Sequence, residues 1–365
     1  MAITLVSFVL ILSLIVFVHE LGHFLVARRH GIVVEEFGFG YPPRLLKLGE
    51  RHGTVYSLNM IPFGGFVRLR GEDDPSQPGN FAAASKWARA TTLLAGAGMN
   101  FALAIVLLTL LTMLSGVPDR SQPGAVIGGI APGSPAEQAG LQKGDRIVAA
   151  NETMVATTVD LVTHTRAHLG QPVTYLVVRR DPTTGAETTL TFVIIPRPNP
   201  PDNEGPLGIE IFTVMRPAWI WEALWSGIRT TGEVIWLTFQ IPASLIRAGR
   251  PIQEVGLVGP VGIAAATGDV VRSATAANSV EPILWFVGLL STAVGITNLL
   301  PIPALDGGRL LFVIAEAIRR RRIEPAREGL IHLVGFALLL LIMGVVTANE
   351  ITALVSGRGL DLGTR

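Results

Sequence analysis

The stretch VHELGHFLVA, Val18–Ala27, follows directly on ITLVSFVLILSLIVF, Ile3–Phe17, a run without a single charge. Histidine and glutamate are costly in hydrocarbon, and inside membrane segments they mark sites more often than filler. The spacing H-E-x-x-H puts His19 and His23 one helical turn apart on the same face. Glu20 lies about 100° around the helix, beside the same pocket. The apolar run makes this a membrane helix; the motif makes that helix a candidate metal site.

The rest of the chain agrees with a membrane setting. Of 365 residues, 49% are hydrophobic and 16% charged, against about 25% charged in ordinary soluble domains. The net charge of +1 gives no reason to expect a nucleic-acid partner. With no cysteine, disulfides, thiolate zinc sites and iron–sulfur clusters are excluded. A transition metal would have to be held by histidine and carboxylate. The N-terminus lacks a basic flank and a small-residue cleavage site, so it reads as a retained helix rather than a signal peptide.

The expected fold class is a multi-pass α-helical membrane protein with four transmembrane helices, at 1–28, 91–116, 282–308 and 329–347. Arg and Lys crowd 29–90 and again 309–328. The positive-inside rule places both segments in the cytoplasm, and both termini and the stretch between the second and third helices outside. At about 1.5 Å per residue, His19 falls about 27 Å along the first helix, near the cytoplasmic face of a core about 30 Å thick.

Between the first two helices, TVYSL and FVRLR alternate between Gly and Pro punctuation and read as β-hairpins. They form either a cytosolic cap or a loop that dips toward the metal around Gly64 and Gly65 and offers an edge to an extended peptide. Outside, residues 123–197 hold a short capped helix, SPAEQAGL, and the strands RIVAAN and VTYLVVRR, enough for a small α+β domain. In 198–281, a linker, the Trp-rich Arg216–Phe239 suggests a helix lying in the outer interface, with its charges and Pro242 arguing against a fifth span. Residues 348–365 read as a C-terminal tail.

A catalytic zinc normally takes a third protein ligand. The best candidate lies in NLLPIPALDGGRLLF, Asn298–Phe312. Pro301 and Pro303 break the third helix at membrane depth, Asp306 follows, and Gly307 and Gly308 allow a tight turn around it. Each residue also has a plainer reading. His19 could mark the interface, His23 could pair with a neighbour, Asp306 could cap the following helix, and Asn298 could join helices.

HELGH and NLLPIPALDGG, in this order, resemble the two motifs of the site-2 protease family of intramembrane zinc metalloproteases, closest in kind to the bacterial regulator-of-sigma-E protease type. The resemblance spans nearly the whole chain. It implies that His19, His23 and Asp306 bind one catalytic Zn²⁺ and that Glu20 is the catalytic base. GTVYSLNMIPFGGFVRLRGED is similar to that family's membrane-associated β-loop, 123–197 to its extracytoplasmic PDZ domain, and GPVGIA, Gly259–Ala264, to a further pattern before the third span. There are departures. One PDZ-like segment is evident where some relatives carry two, Ala97 stands where the family usually has proline, and no cystathionine-synthase-type domain follows the last span.

The resemblance implies an endopeptidase of the bacterial inner membrane that cuts membrane-spanning proteins, such as an anti-sigma factor or signal-peptide remnants, inside the lipid bilayer. Asn298 is a candidate for holding the substrate backbone or the oxyanion, with Gly64 and Gly65 as further substrate contacts. Two other classes compete. A non-catalytic PDZ scaffold with a structural metal site has no use for Glu20, and a transporter would be expected to show repeated halves.

Overall fold

Lipid offers no partner to a backbone N–H or C=O, so apolar runs this long must close their own hydrogen bonds as helices. The computed structural model describes residues 2–181, 183–201, 204–247 and 258–356. The expected tail beyond 356 and the linker stretch 248–257 lie outside the described residues. In chain order the elements are α1 (Ala2–Arg29), β1 (Val34–Arg51), β2 (Thr54–Leu69), α2 (Lys86–Ser115), β3 (Val117–Pro118), β4 (Ala125–Ile130), α3 (Pro135–Gln138), β5 (Arg146–Ala150), β6 (Thr153–Met154) and α4 (Thr158–Ala167). There follow β7 (Val173–Arg180), β8 (Glu187–Ile194), β9 (Ile209–Thr213), β10 (Met215–Arg216), α5 (Ile220–Arg247), α6 (Pro260–Ala277), α7 (Glu281–Leu299), α8 (Asp306–Arg319) and α9 (Pro325–Val355). They form two compact units: Met1–Thr112 with Ile220–Arg365, and Met113–Trp219.

In the first unit, Ile3–Arg29, Lys86–Ser115, Glu281–Leu299 and Arg327–Val355 are long and apolar enough to cross a membrane. The third of these stops at Leu299, short of the expected 282–308. Pro301 and Pro303 keep 300–305 irregular, and a separate helix, α8, begins at Asp306. The left-handed residue in that turn is Ala304, at φ 81°, rather than either glycine. His332 of α9 accepts the Ala304 N–H at 2.9 Å and so holds the turn from outside it. Gly307 and Gly308 serve a different purpose from the one expected. A Cβ on either would collide with the backbone of 299–303, so their bareness lets α8 start tight against the end of α7.

The buried pair Arg89–Glu316, 2.6 Å apart, ties α2 to α8. Glu316 also accepts the Ile323 N–H, and its backbone carbonyl takes Lys86 Nζ. Replacing Glu316 by alanine strands Arg89 in a buried position. The expected cost is about 3–5 kcal/mol, read as a lower melting temperature of the purified protein.

β1 and β2 pair antiparallel, but both bend, so the hairpin folds over on itself. Phe37 lies between Val67 and Tyr56, and Gly38 between Phe66 and Ser57. Glu36 is buried and receives Arg44 and Arg68; the Arg44 hydrogen bond, chiefly, lowers its carboxyl to about 2. Ser13 on α1 joins the hairpin to the helix. Its hydroxyl donates to the Pro62 carbonyl and accepts the Gly64 N–H, each at 3.1 Å. At the other end Glu72 pairs with Arg309 of α8 at 2.6 Å.

Three more helices depart from the sequence reading: α9 runs on to Val355, through the first part of the expected tail. α5 runs through Pro242 to Arg247, and it packs on α2 through small residues: a Cβ on Gly227 would stand 2.7 Å from the Ile105 carbonyl. Such close approach through small side chains is how helices associate in lipid. Trp219, Trp221, Trp225 and Trp236 point outward. α6, within the expected linker, packs against α1, where Gly268 meets Thr4. Its N-terminal Gly259, the start of GPVGIA, donates its N–H to Glu350 of α9.

The second unit is an antiparallel sheet with short helices. The strand order is β8-β7-β5-β4-β9, with β6 on β5. β7 alternates buried and exposed positions, and Ile127, Ile147, Leu161, Val173, Tyr175 and Val177 fill the core. Ser134 caps α3 and Thr157 with Asp160 forms a capping box on α4, as Ser and Thr at these places allow. The sheet does not end at Arg197: β9, in the stretch expected to be linker, pairs with β4 as its edge.

Candidate metal centre

His19 and His23 share one face of α1, and the helix break after α7 brings Asp306 to them across 287 positions of sequence. Nε2 of His19 lies 3.0 Å from Asp306 Oδ2, Nε2 of His23 lies 3.1 Å from the same oxygen, and the two nitrogens are 3.1 Å apart. Nδ1 of His23 faces the Thr92 carbonyl at 2.8 Å. A carbonyl only accepts, so that nitrogen carries the proton, and neutral His23 turns a bare Nε2 toward a carboxylate oxygen. Such a trio needs an extra proton or a cation. For a tetrahedral zinc with ligand bonds of about 2.0–2.2 Å, ligand atoms stand about 3.3 Å apart, close to what is found here.

The wall facing these atoms is bare. α2 crosses at Gly96, where a Cβ would lie 2.6 Å from Nε2 of His19. Thr92, Gly96 and Asn100 form one stripe of α2 at i, i+4 and i+8, and all three are buried. Asn100 places its carboxamide 3.2 Å from Nδ1 of His19. The residues therefore fit a metal ion: three convergent ligand atoms, with space left by an absent side chain. Gly96→Ala is expected to weaken zinc binding by about tenfold or more, because the new methyl must displace a ligand ring. Chelator competition measures it, and wild-type affinity in that variant would mean that the Gly96 face does not border the ion.

Glu20 is half-buried and within electrostatic reach of His23, Asp306 and Glu72. The hairpin comes to it at Gly65, where a Cβ would sit 3.0 Å from Glu20 Cβ and 2.8 Å from Phe17 Cα. Gly64 packs on Val16 in the same way. A cavity of about 380 Å³ opens beside the Asp306 turn, lined by Glu72, Asp73, Ala304, Arg309 and His332 among others. Asn298 is turned elsewhere: its amide nitrogen donates to Val294 of its own helix at 3.0 Å. In the second unit His164 and His168 stack at 4.3 Å. Among the described residues, the one group of three or more side chains able to hold a metal is His19, His23 and Asp306. Asn100 was missed by the sequence reading, although its place on the Thr92–Gly96–Asn100 stripe was a visible signal.

Two helix-borne histidines and a distant aspartate form a cluster able to coordinate a metal ion in a protein with four helices apolar enough to cross a membrane. Residues 7–342 match the sequence profile of peptidase family M50. The zinc metalloprotease RasP of Geobacillus kaustophilus is 29% identical, over 95% of this chain and 97% of its own length. RasP of Oceanobacillus iheyensis is 30% identical over 96% and 99%, and a putative zinc metalloprotease of Agrobacterium fabrum is 31% identical over 96% of each. The chain belongs to peptidase family M50, the site-2 protease family. Family and triad together make it an intramembrane zinc metalloprotease.

Proposed function

We propose that this protease cuts peptide bonds within or beside the membrane-spanning segments of other proteins, with one zinc ion held by His19, His23 and Asp306. The observation that carries this reading is the convergence of those three side chains within 3.1 Å of one another, next to Glu20. Lewis acidity toward water and toward the scissile carbonyl is what the ion supplies when bound. Glu20 takes one proton from the attacking water as its oxygen bonds to the carbonyl carbon. When the C–N bond breaks, Glu20 returns that proton to the leaving nitrogen. A membrane helix hides its carbonyls in its own hydrogen bonds, so the substrate must first unwind. The 65–69 segment of the hairpin, held beside Glu20, offers an edge for the unwound strand. A role for Asn298 at the oxyanion requires its amide to leave Val294.

The charge distribution favours an orientation with 29–90 and 309–328 in the cytoplasm and Met113–Trp219 outside. That unit resembles a PDZ domain, with an apolar groove lined by Leu161, Val162, Leu207, Ile209 and Ile211 between α4 and the edge strand β9. We read it as a filter that bars bulky ectodomains. Substrates of the anti-sigma-factor or signal-peptide-remnant kind, already trimmed outside, would pass.

The test uses purified protein in lipid vesicles with two membrane-spanning reporters, one trimmed and one with a folded ectodomain. A zinc chelator is expected to stop cleavage of the trimmed reporter, and added zinc to restore it; full activity in chelator would end the zinc reading. Replacing 117–216 by a flexible linker should leave the trimmed reporter cleavable and admit the intact one. Loss of both activities in a zinc-loaded, folded deletion would point to recruitment instead.

A further inference from the structure

A histidine that binds a metal through Nε2 carries its proton on Nδ1, and a buried N–H there needs an acceptor that fixes the ring. His23 has one, the Thr92 carbonyl. For His19 the partner is the carboxamide of Asn100, a residue with no exposed surface, whose nitrogen stands 3.2 Å from Nδ1. In that orientation the amide would donate to Nδ1 and force the proton onto Nε2, which closes the ring to a cation. It also leaves Asn100 Oδ1 buried with no partner. The two ends of a carboxamide are nearly alike in shape, so either fits that position. Turning the group over exchanges an orphaned acceptor for an orphaned donor, so counting hydrogen bonds within the chain does not decide. The metal chemistry does: only the oxygen facing Nδ1 leaves Nε2 of His19 bare.

We propose that Asn100 is the positioning residue of the metal centre, its carboxamide oxygen accepting the Nδ1–H of His19. Two features hold it there. Its backbone carbonyl receives the Ser291 hydroxyl of α7 at 2.8 Å, and it sits two turns from Thr92 on the same face of α2. Thr92 and Asn100 thus do the same work for the two histidines, one with a backbone carbonyl and one with a side chain. Gly96 between them leaves the space in front of both rings. The proposal rests on the reading of His19, His23 and Asp306 as zinc ligands.

The experiment measures zinc affinity by chelator competition in Asn100→Ala, Asn100→Leu and Asn100→Asp, with unfolding in excess chelator as the control for folding. Loss of the acceptor is expected to weaken zinc binding by about 10–100-fold in the alanine and leucine variants. The aspartate variant, which keeps an oxygen at Nδ1, should retain affinity within a few-fold. A merely packed Asn100 gives the reverse order, with leucine tolerated and aspartate not. Wild-type affinity in Asn100→Ala overturns the proposal, as does recovery in Asn100→Leu, or a folded Asn100→Asp as weak as alanine. Should Asn100→Asp not fold, the alanine and leucine variants decide alone. A wild-type protein that binds no zinc would instead bring down the three-ligand reading itself, an outcome plainly distinct from an Asn100→Ala variant that binds as well as wild type.

Discussion

Glu20→Gln is expected to keep its zinc and its fold and to lose at least about 10²-fold in cleavage of a membrane-spanning reporter, the scale of a general base. The amide preserves the shape beside Gly65, where Glu20 Cβ and Cγ lie close to the hairpin backbone, so packing should not change. What disappears is the basic oxygen. Metal content and cleavage rate, measured on one preparation, separate the two effects. A variant that cleaves at near the wild-type rate removes Glu20 from the proton path and leaves some other group to find.

Asp306→Ala acts one step earlier. It deletes the one carboxylate in the triad and leaves the two Nε2 atoms, 3.1 Å apart, with no anionic partner. Zinc should fall to a minor fraction of the sites and cleavage should fall with it, by at least the factor seen for Glu20→Gln. Metal analysis after purification checks this directly. Full zinc occupancy in that variant would mean that the third ligand lies elsewhere. The two variants predict opposite metal contents with cleavage lost in both, which makes them most informative as a pair.

The parts of this molecule that chemistry makes conspicuous were legible in the sequence. His19, Glu20 and His23 stand out because ionisable groups are rare in apolar helices, and Asp306 because two prolines end a helix just before it. The structure brings the ligand atoms of His19, His23 and Asp306 close enough together to hold a metal ion. Other features depend on partners far along the chain. Nothing local announces that Ala304 takes a left-handed conformation, since His332 holds it from another helix. Pro242 counted against a fifth span, and nothing local showed that the helix α5 would continue through it. β9 was lost in a Pro-rich stretch because a short strand is defined by the neighbour it pairs with. Asn100 lies in AGAGMNF, and its place beside His19 emerges only from the helical stripe with Thr92 and Gly96 and the rings those residues face.

The 287 positions between His19 and Asp306 have a consequence for the life of the chain. The first helix is made long before the third, so the nascent protein enters the bilayer with His19, Glu20 and His23 but without Asp306. On the three-ligand reading, the chain would lack its third metal ligand until α8 is in place. A chain interrupted before Asp306 would then hold zinc no better than Asp306→Ala, which makes truncation a second route to the same comparison.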